Sequence, residues 1–232
     1  MLVDIFSSFD DNNQVFMSMY MLMWIFSLVS VSLFSFSYWV MSPSWNGVIS
    51  IFKDTVSSQI FRSFGLNLGG FISVVSSLFI FLIFMNLSGL IPYVFSSTGH
   101  LAVSISLGLP LWLALITSAV IFNPSSVVAG LLPMGAPAPL NPFLVIIETV
   151  SIMVRPVTLS VRLMANMSAG HIVLTLIGNY LTASFFTSSI FSVMFLVLVQ
   201  IFYTLFEFGI SIIQAYIFCL LITLYSDEHP AN

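Results

Sequence analysis

Residues 185–225 read FFTSSIFSVMFLVLVQIFYTLFEFGISIIQAYIFCLLITLY, an apolar stretch much longer than one membrane crossing requires. Its only charged residue is Glu207. A helix needs about 20 apolar residues to cross the ~30 Å hydrocarbon core, whereas this stretch would be about 61 Å long at ~1.5 Å per residue. Residues 143–178 form a second such stretch of about 54 Å. The two stretches predict a helical hairpin whose members either break or lean by very roughly 55–60°, against a usual tilt of ~20°.

The composition of the whole chain predicts a membrane protein. Of its 232 residues, 59% are hydrophobic and only 5% are charged, whereas a soluble domain has roughly 25% charged residues. Four Lys and Arg against eight Asp and Glu give a net charge of −4, which leaves too few cations for a surface that binds nucleic acid. The single cysteine, Cys219, allows no intrachain disulfide. We predict an all-α polytopic membrane protein that binds no nucleic acid.

Turn residues and charges divide the chain into six predicted helices within a single membrane domain, residues 1–232. Lys53 and Arg62 lie among apolar residues at helical spacing, which is typical of an amphipathic helix on the membrane surface. By the positive-inside rule, these two cations place that helix on the cytoplasm-equivalent side and the N-terminus on the opposite side. The predicted elements are a first span (17–40), the surface helix (48–64), two further spans (68–91 and 101–122) and the tilted hairpin (143–178 and 185–225).

The ionisable residues of the first hairpin member indicate the function. Arg162 lies in the apolar segment VRLMANMSAGH, residues 161–171. An arginine in hydrocarbon costs at least ~2.5–3.5 kcal/mol, so it is expected to have a counter-ion and a functional role. Glu148, Arg155 and Arg162 are spaced seven residues apart, which keeps them near one helix face, and Asn166 continues that face. This pattern favours a protein that moves ions or protons.

The second hairpin member carries a matching polar row. Glu207 and Gln214 are also seven residues apart, and Tyr203 precedes Glu207 by one turn. The two polar rows can face each other or a third partner. His171 follows Arg162 by nine residues, so it lies on the opposite helix face unless the helix bends at Gly170.

The motifs together resemble subunit a of the F-type ATP synthase membrane sector, in its mitochondrial form. The matching pieces are MNLSGLIP at residues 85–92, IET at 147–149, VRLMANMSAGH at 161–171, LFE at 205–207 and IQAY at 213–216. The string around Arg162 is highly specific, whereas MNLSGLIP alone is only supportive. The resemblance covers nearly the whole chain and implies one span, a surface helix, two more spans and a long tilted hairpin against a rotating ring.

The resemblance assigns roles to individual residues. Arg162 corresponds to the essential arginine of the family, which faces the carboxylate of the ring. Glu207 and His171 match the paired ionisable positions of the half-channel open to the proton-rich side, and Glu148 matches the acidic residue of the opposite half-channel. Asn86, Asn166 and Gln214 match polar positions of the proton path, Tyr203 accompanies Glu207, and Arg155 corresponds to a polar or basic position of the family.

The resemblance also implies the setting of the protein. The expected partners are the c-ring, a peripheral stalk, small membrane subunits, the lipid bilayer and the transported protons. The expected location is the mitochondrial inner membrane, with the N-terminus in the intermembrane space and the C-terminus in the matrix. No cofactor or metal is implied, and the chain is not catalytic alone.

Several alternative interpretations stay open at this point. The chain could be an ion-coupled secondary transporter, although no inverted repeat is visible, or a structural scaffold subunit of a respiratory membrane complex. Arg162 could form an internal ion pair with Glu148 or Glu207, and Arg155 could be a structural partner or reach the interface. Asn86 could cap a helix, Gln214 could be a packing amide, and His171 could be a core residue.

Overall fold

The computed structural model describes residues 25, 29, 44–91, 96–132, 140–187 and 189–229, excluding the side chains of Trp45 and Thr187. These residues form six α-helices and two short 3-10 helices, with no strand in the described ranges. The α-helices are α1 (Ser44–Ile60), α2 (Phe71–Gly89), α3 (Leu101–Phe122), α4 (Pro124–Gly130), α5 (Asn141–Thr187) and α6 (Ile190–Asp227), and the 3-10 helices are Phe64–Asn67 and Ser97–Gly99.

Four of these helices are long and apolar enough to cross a membrane, namely α2, α3, α5 and α6. This finding confirms the predicted all-α polytopic membrane class. Helix α3 has the bounds of the predicted span 101–122, and α2 lies within the predicted span 68–91. The predicted span 17–40 lies outside the described residues apart from Ile25 and Val29.

The amphipathic segment forms α1. The helix begins at Ser44 rather than residue 48 and ends at Ile60 rather than residue 64. Val56 and Ile60 are buried on one side of the helix, while Lys53 is exposed. The ring of Phe52 packs edge to face on Phe79 of α2, with the centroids 6.1 Å apart. Burial of aromatic and branched apolar side chains therefore holds one face of α1 against α2.

The first hairpin member is longer than predicted, because helix α5 continues to Thr187 rather than ending near residue 178, and α6 begins only at Ile190 rather than at residue 185. Thr182 and Ser184 resemble turn residues in the sequence, but their hydroxyls donate to the carbonyls of Asn179 and Leu181 within the helix. The helix also continues through Pro156. Its 47 residues correspond to about 70 Å, and the 38 residues of α6 to about 57 Å.

The chain divides into two compact units. Unit 2 consists of residues 44–80, 101–162 and 217–232. Its described core is mainly apolar and includes Leu159, Phe218 and Ile222. The end of α6 is held to the segment before α2 by the Phe64 amide, which donates to Asp227 Oδ1 at 2.8 Å.

Unit 1 consists of residues 1–43, 81–100 and 163–216. Its described interior is as polar as it is apolar, which is unusual because buried polar groups must find partners. The buried polar residues are Asn86, Ser96, Ser97, Thr98, Glu207, Ser211 and Gln214, against Leu82, Ile83, Met85, Leu163, Met167 and Ala215.

Candidate functional site

Arg162 is exposed on the surface of α5. Its exposed neighbours at helical spacing are small, apart from Asn166: they are Thr158, Ala165 and Ala169, whereas Leu159, Leu163 and Met167 are buried. The guanidinium group therefore projects from a smooth helix face that another helix could approach closely.

Arg162 has no acidic partner in the described part of unit 2. No carboxylate oxygen there lies within 4.0 Å of it, and Glu148 binds Arg155 instead. The alternative in which Glu148 neutralises Arg162 is not seen in that unit. Since an arginine stays charged at any physiological pH, this part of unit 2 leaves the charge of Arg162 without a counter-ion.

Glu207 lies in the interior of unit 1 and is only 3% exposed. Its carboxylate packs directly on Gly170 of α5. One turn earlier on α6, the Tyr203 side chain lies close enough to the same carboxylate to interact with it electrostatically. Tyr203 and Glu207 were both predicted as site residues, and the structure brings them together.

His171 follows Gly170 directly, so its backbone adjoins the position where Glu207 packs. Its side chain is half-buried. Helix α5 is continuous through this segment, so Gly170 does not interrupt the helix. The two ionisable residues of the predicted inlet half-channel thus both belong to unit 1.

Two amide side chains link α5 to α6 in unit 1. Asn166 Nδ2 donates to Gln214 Oε1 at 2.8 Å, and Gln214 is only 3% exposed. The Gln214 amide is therefore bonded to a predicted site residue.

Asn86 of α2 is completely buried in the same unit. Its Nδ2 donates to the Ser211 carbonyl at 3.3 Å, while its Oδ1 has no hydrogen-bond partner among the described residues. Asn86 is part of the interior rather than a simple cap at a helix end. Its carbonyl oxygen is an acceptor that a water molecule could use.

Unit 2 contains a second group of ionisable residues, centred on Arg155. The Arg155 guanidinium binds Glu228 and lies 3.7 Å from Glu148 Oε1. It also lies over the ring of Tyr225, 5.4 Å from the centroid. Arg155 therefore forms ion pairs, as expected if it is a structural partner. One of its two acidic partners is the predicted site residue Glu148.

Glu228 and Tyr225 were not among the predicted site residues. Glu228 follows the end of α6 in a polar tail, which the sequence does not distinguish from an ordinary solvated terminus. The register of the hairpin could have identified Tyr225. Asn166 and Gln214 lie at nearly equal distances along the chain from the hairpin turn, and so do Arg155 and Tyr225.

The Arg155 group lines a cavity of about 680 Å³ in unit 2. Helices α3 and α4 supply apolar walls that include Trp112, Leu115 and Val127. The polar side of the cavity is formed by Glu148, Arg155, Tyr225, Glu228 and His229. A cavity of this size that reaches a carboxylate can hold several water molecules.

The family model described as ATP synthase A chain matches residues 15–227. The chain belongs to this family. The chain is 38% identical to ATP synthase subunit a of Artemia franciscana, over 98% of this chain and 100% of the relative. It is 39% identical to ATP synthase subunit a of Drosophila yakuba, over 98% and 99%. A protein of the same name from Albinaria caerulea is 46% identical over 158 residues, or 68% of this chain and 72% of that one. The predicted family membership is therefore confirmed.

Proposed function

We propose that the chain is the proton-translocating stator subunit of an ATP synthase membrane sector. In this function it provides two offset half-channels to a rotating c-ring and couples proton flow to rotation of that ring. The chain is not catalytic alone, because it supplies the route for protons and not the site of ATP synthesis.

The observation that carries the proposal is the exposed Arg162 on a membrane helix. A cation at this position is costly unless an anion faces it. The described part of unit 2 offers it no carboxylate within 4.0 Å. A carboxylate on a ring of neighbouring helices would supply the missing charge. The small side chains around Arg162 would let such a helix come close.

A permanent charge at this position explains how flow is coupled to rotation. Arg162 attracts each ionised ring carboxylate and favours release of its proton on arrival. The same cation repels a proton that would pass directly from one half-channel to the other. Each proton falling through 100 mV releases about 2.3 kcal/mol, so a leak past Arg162 would waste the energy that drives rotation.

We assign the inlet half-channel to unit 1. Its polar interior is an unfavourable arrangement for a purely structural membrane domain, whereas a hydrated proton path requires such groups. Glu207 and His171 would relay protons, and Tyr203 would orient the Glu207 carboxylate. Asn86, Asn166 and Gln214 would hold water along the path without adding charge.

We assign the outlet half-channel to unit 2, with Glu148 beside the cavity. Protons leaving the ring would reach Glu148 and then the water in this space. Arg155 has a positioning role here, since it binds both Glu148 and Glu228. The cavity supports this route because it joins the Glu148 side chain to the end of α6.

We place the chain in the mitochondrial inner membrane, with its N-terminus in the intermembrane space and its C-terminus in the matrix. Rotation of the ring exerts torque on the subunit beside it. The chain would therefore need a peripheral stalk and small membrane subunits to hold it in place. The transported ion would be the proton, and no cofactor takes part.

The test is proton uptake by liposomes that contain the whole membrane sector, under an imposed potential. Arg162→Ala is expected to abolish ring-coupled uptake while the ring stays bound. Arg62→Ala is the matched control, because Arg62 is exposed and lies outside the candidate spans. Unchanged coupled uptake in Arg162→Ala would contradict the proposal, and an assembly defect alone would support the scaffold interpretation.

A further inference from the structure

The contact between Gly170 and Glu207 is unusually close. A β-carbon placed on Gly170 would lie 2.7 Å from Glu207 Oε1 and 2.5 Å from the carboxyl carbon, and it would also overlap Oε2. Real β-carbons essentially never approach other heavy atoms within 3.0 Å. The Glu207 carboxylate therefore occupies the space that any side chain at position 170 would fill.

The atoms that would meet this β-carbon all belong to one group. The three nearest heavy atoms are the two oxygens and the carboxyl carbon of Glu207. They form the end of a flexible side chain, which can move by changing its rotamer without displacing either helix. A methyl group at position 170 would push the carboxylate aside and leave the packing of α5 on α6 largely unchanged.

We propose that Gly170 is a positioning residue that seats the Glu207 carboxylate for proton relay. This inference rests on the proposed function of Glu207 in the inlet half-channel. Tyr203 interacts with the carboxylate from one turn earlier on α6, and the missing side chain at position 170 lets the carboxylate reach the α5 backbone. The seat lies directly before His171 in the chain, so it holds the carboxylate next to the residue that would share its protons.

Other glycines provide matched controls for the substitution. Gly178 lies on the same helix, and Gly209 lies on α6 two positions after Glu207. A β-carbon at either would meet no heavy atom within 4 Å. Gly170→Ala is expected to lower proton uptake of the assembled sector about tenfold to a hundredfold, since a misplacement of ~1 Å can have such effects. Gly178→Ala and Gly209→Ala are expected to leave uptake unchanged.

Replacing Glu207 by aspartate distinguishes positioning from general damage. Aspartate is one methylene shorter, so its carboxylate withdraws from position 170. The Gly170→Ala substitution is therefore expected to reduce uptake strongly in the Glu207 background and not at all in the Glu207→Asp background, a coupling that a double-mutant cycle measures. The ring should stay bound in all four proteins, because alanine is a stronger helix former than glycine.

A cryo-EM structure of the Gly170→Ala sector provides a readout that does not depend on uptake. We expect the Glu207 carboxylate to be displaced from its position in the unsubstituted sector. A carboxylate that stays in place, normal uptake by Gly170→Ala, or an equal loss in both backgrounds would each overturn the inference. Full uptake by Glu207→Gln would instead refute the proposed function of Glu207, so the two failures are distinguishable.

Discussion

Asn166 Nδ2 donates a hydrogen bond to Gln214 Oε1, so an amide pair joins α5 to α6 one helical turn after Arg162. Each residue belongs to the polar row that the sequence predicts on one face of its own helix. In unit 1, the two rows thus face each other at this point instead of a third partner. The pair fixes the register of the two helices close to Arg162.

The first prediction concerns this amide pair. Gln214→Leu is expected to lower the stability of the assembled sector by about 0.5–1.5 kcal/mol, the usual net contribution of one hydrogen bond, because it removes the partner of the Asn166 amide. Combining it with Asn166→Leu should recover part of that loss, since both polar groups are then removed. Thermal unfolding of the purified sector measures the effect. Asn179→Leu, at an exposed position of the same helix, is the control, and additive losses for the pair would contradict the prediction.

The second prediction concerns the proton relay. Glu207→Gln combined with His171→Gln is expected to abolish proton uptake with the ring still bound, because neither side chain can then carry a proton. Asp54→Asn, on the exposed side of α1, removes one carboxylate elsewhere and should leave uptake unchanged. Full current in the double variant would refute the assignment of the inlet half-channel to these residues.

The third prediction concerns the Arg155 ion pairs. Arg155→Gln is expected to increase amide hydrogen exchange at the end of α6, because it releases Glu228 and removes the cation from the Tyr225 ring. The loss of stability should stay near 1 kcal/mol or below, since these groups are partly exposed. Glu228→Gln should have a similar effect that does not add to the first. Lys53→Gln is the control, and unchanged exchange at the end of α6 would show that the ion pairs do not hold it.

The fourth prediction concerns Gly65, where a β-carbon would meet two different side chains. It would lie 2.7 Å from Ser226 Oγ and 2.8 Å from the Phe71 ring. Both side chains would have to move to admit a methyl group, whereas only one moves at Gly170, so Gly65→Ala should destabilise the sector by about 1–3 kcal/mol. Gly69→Ala has open space and should be neutral. Equal thermal midpoints for the two variants would contradict this reading of the contact.

The limits of the membrane helices could be predicted where turn residues or breaks flank an apolar run. Helix α3 has the predicted bounds, and Asn123 after it caps α4 by accepting a bond from the Ser126 amide at 3.4 Å. The hairpin turn was placed too early, because Thr182 and Ser184 are polar but bond to their own helix. In a membrane helix, hydroxyl residues are a weak turn signal for this reason.

The sequence predicts which polar residues are candidates for the site and how they line up along each helix. It does not predict which of them pair between helices. Helical spacing placed Glu148 and Arg155 on one face, and the structure shows them as partners. The contact of the Glu207 carboxylate with Gly170 depends on the register of two long helices, which a local sequence pattern does not determine.

The hydrogen bond from the Phe64 amide to Asp227 joins residues 163 positions apart in the chain. Contacts of such sequence separation form slowly, because a long segment must be ordered before they close. During synthesis, the region around α1 is inserted long before Asp227 and Glu228 leave the ribosome. Until then the Phe64 amide and Arg155 lack these partners, so this part of unit 2 closes only after residues 227 and 228 have been synthesised. A chain terminated just before Asp227 would lack both contacts, and this part of the unit would stay open to proteases.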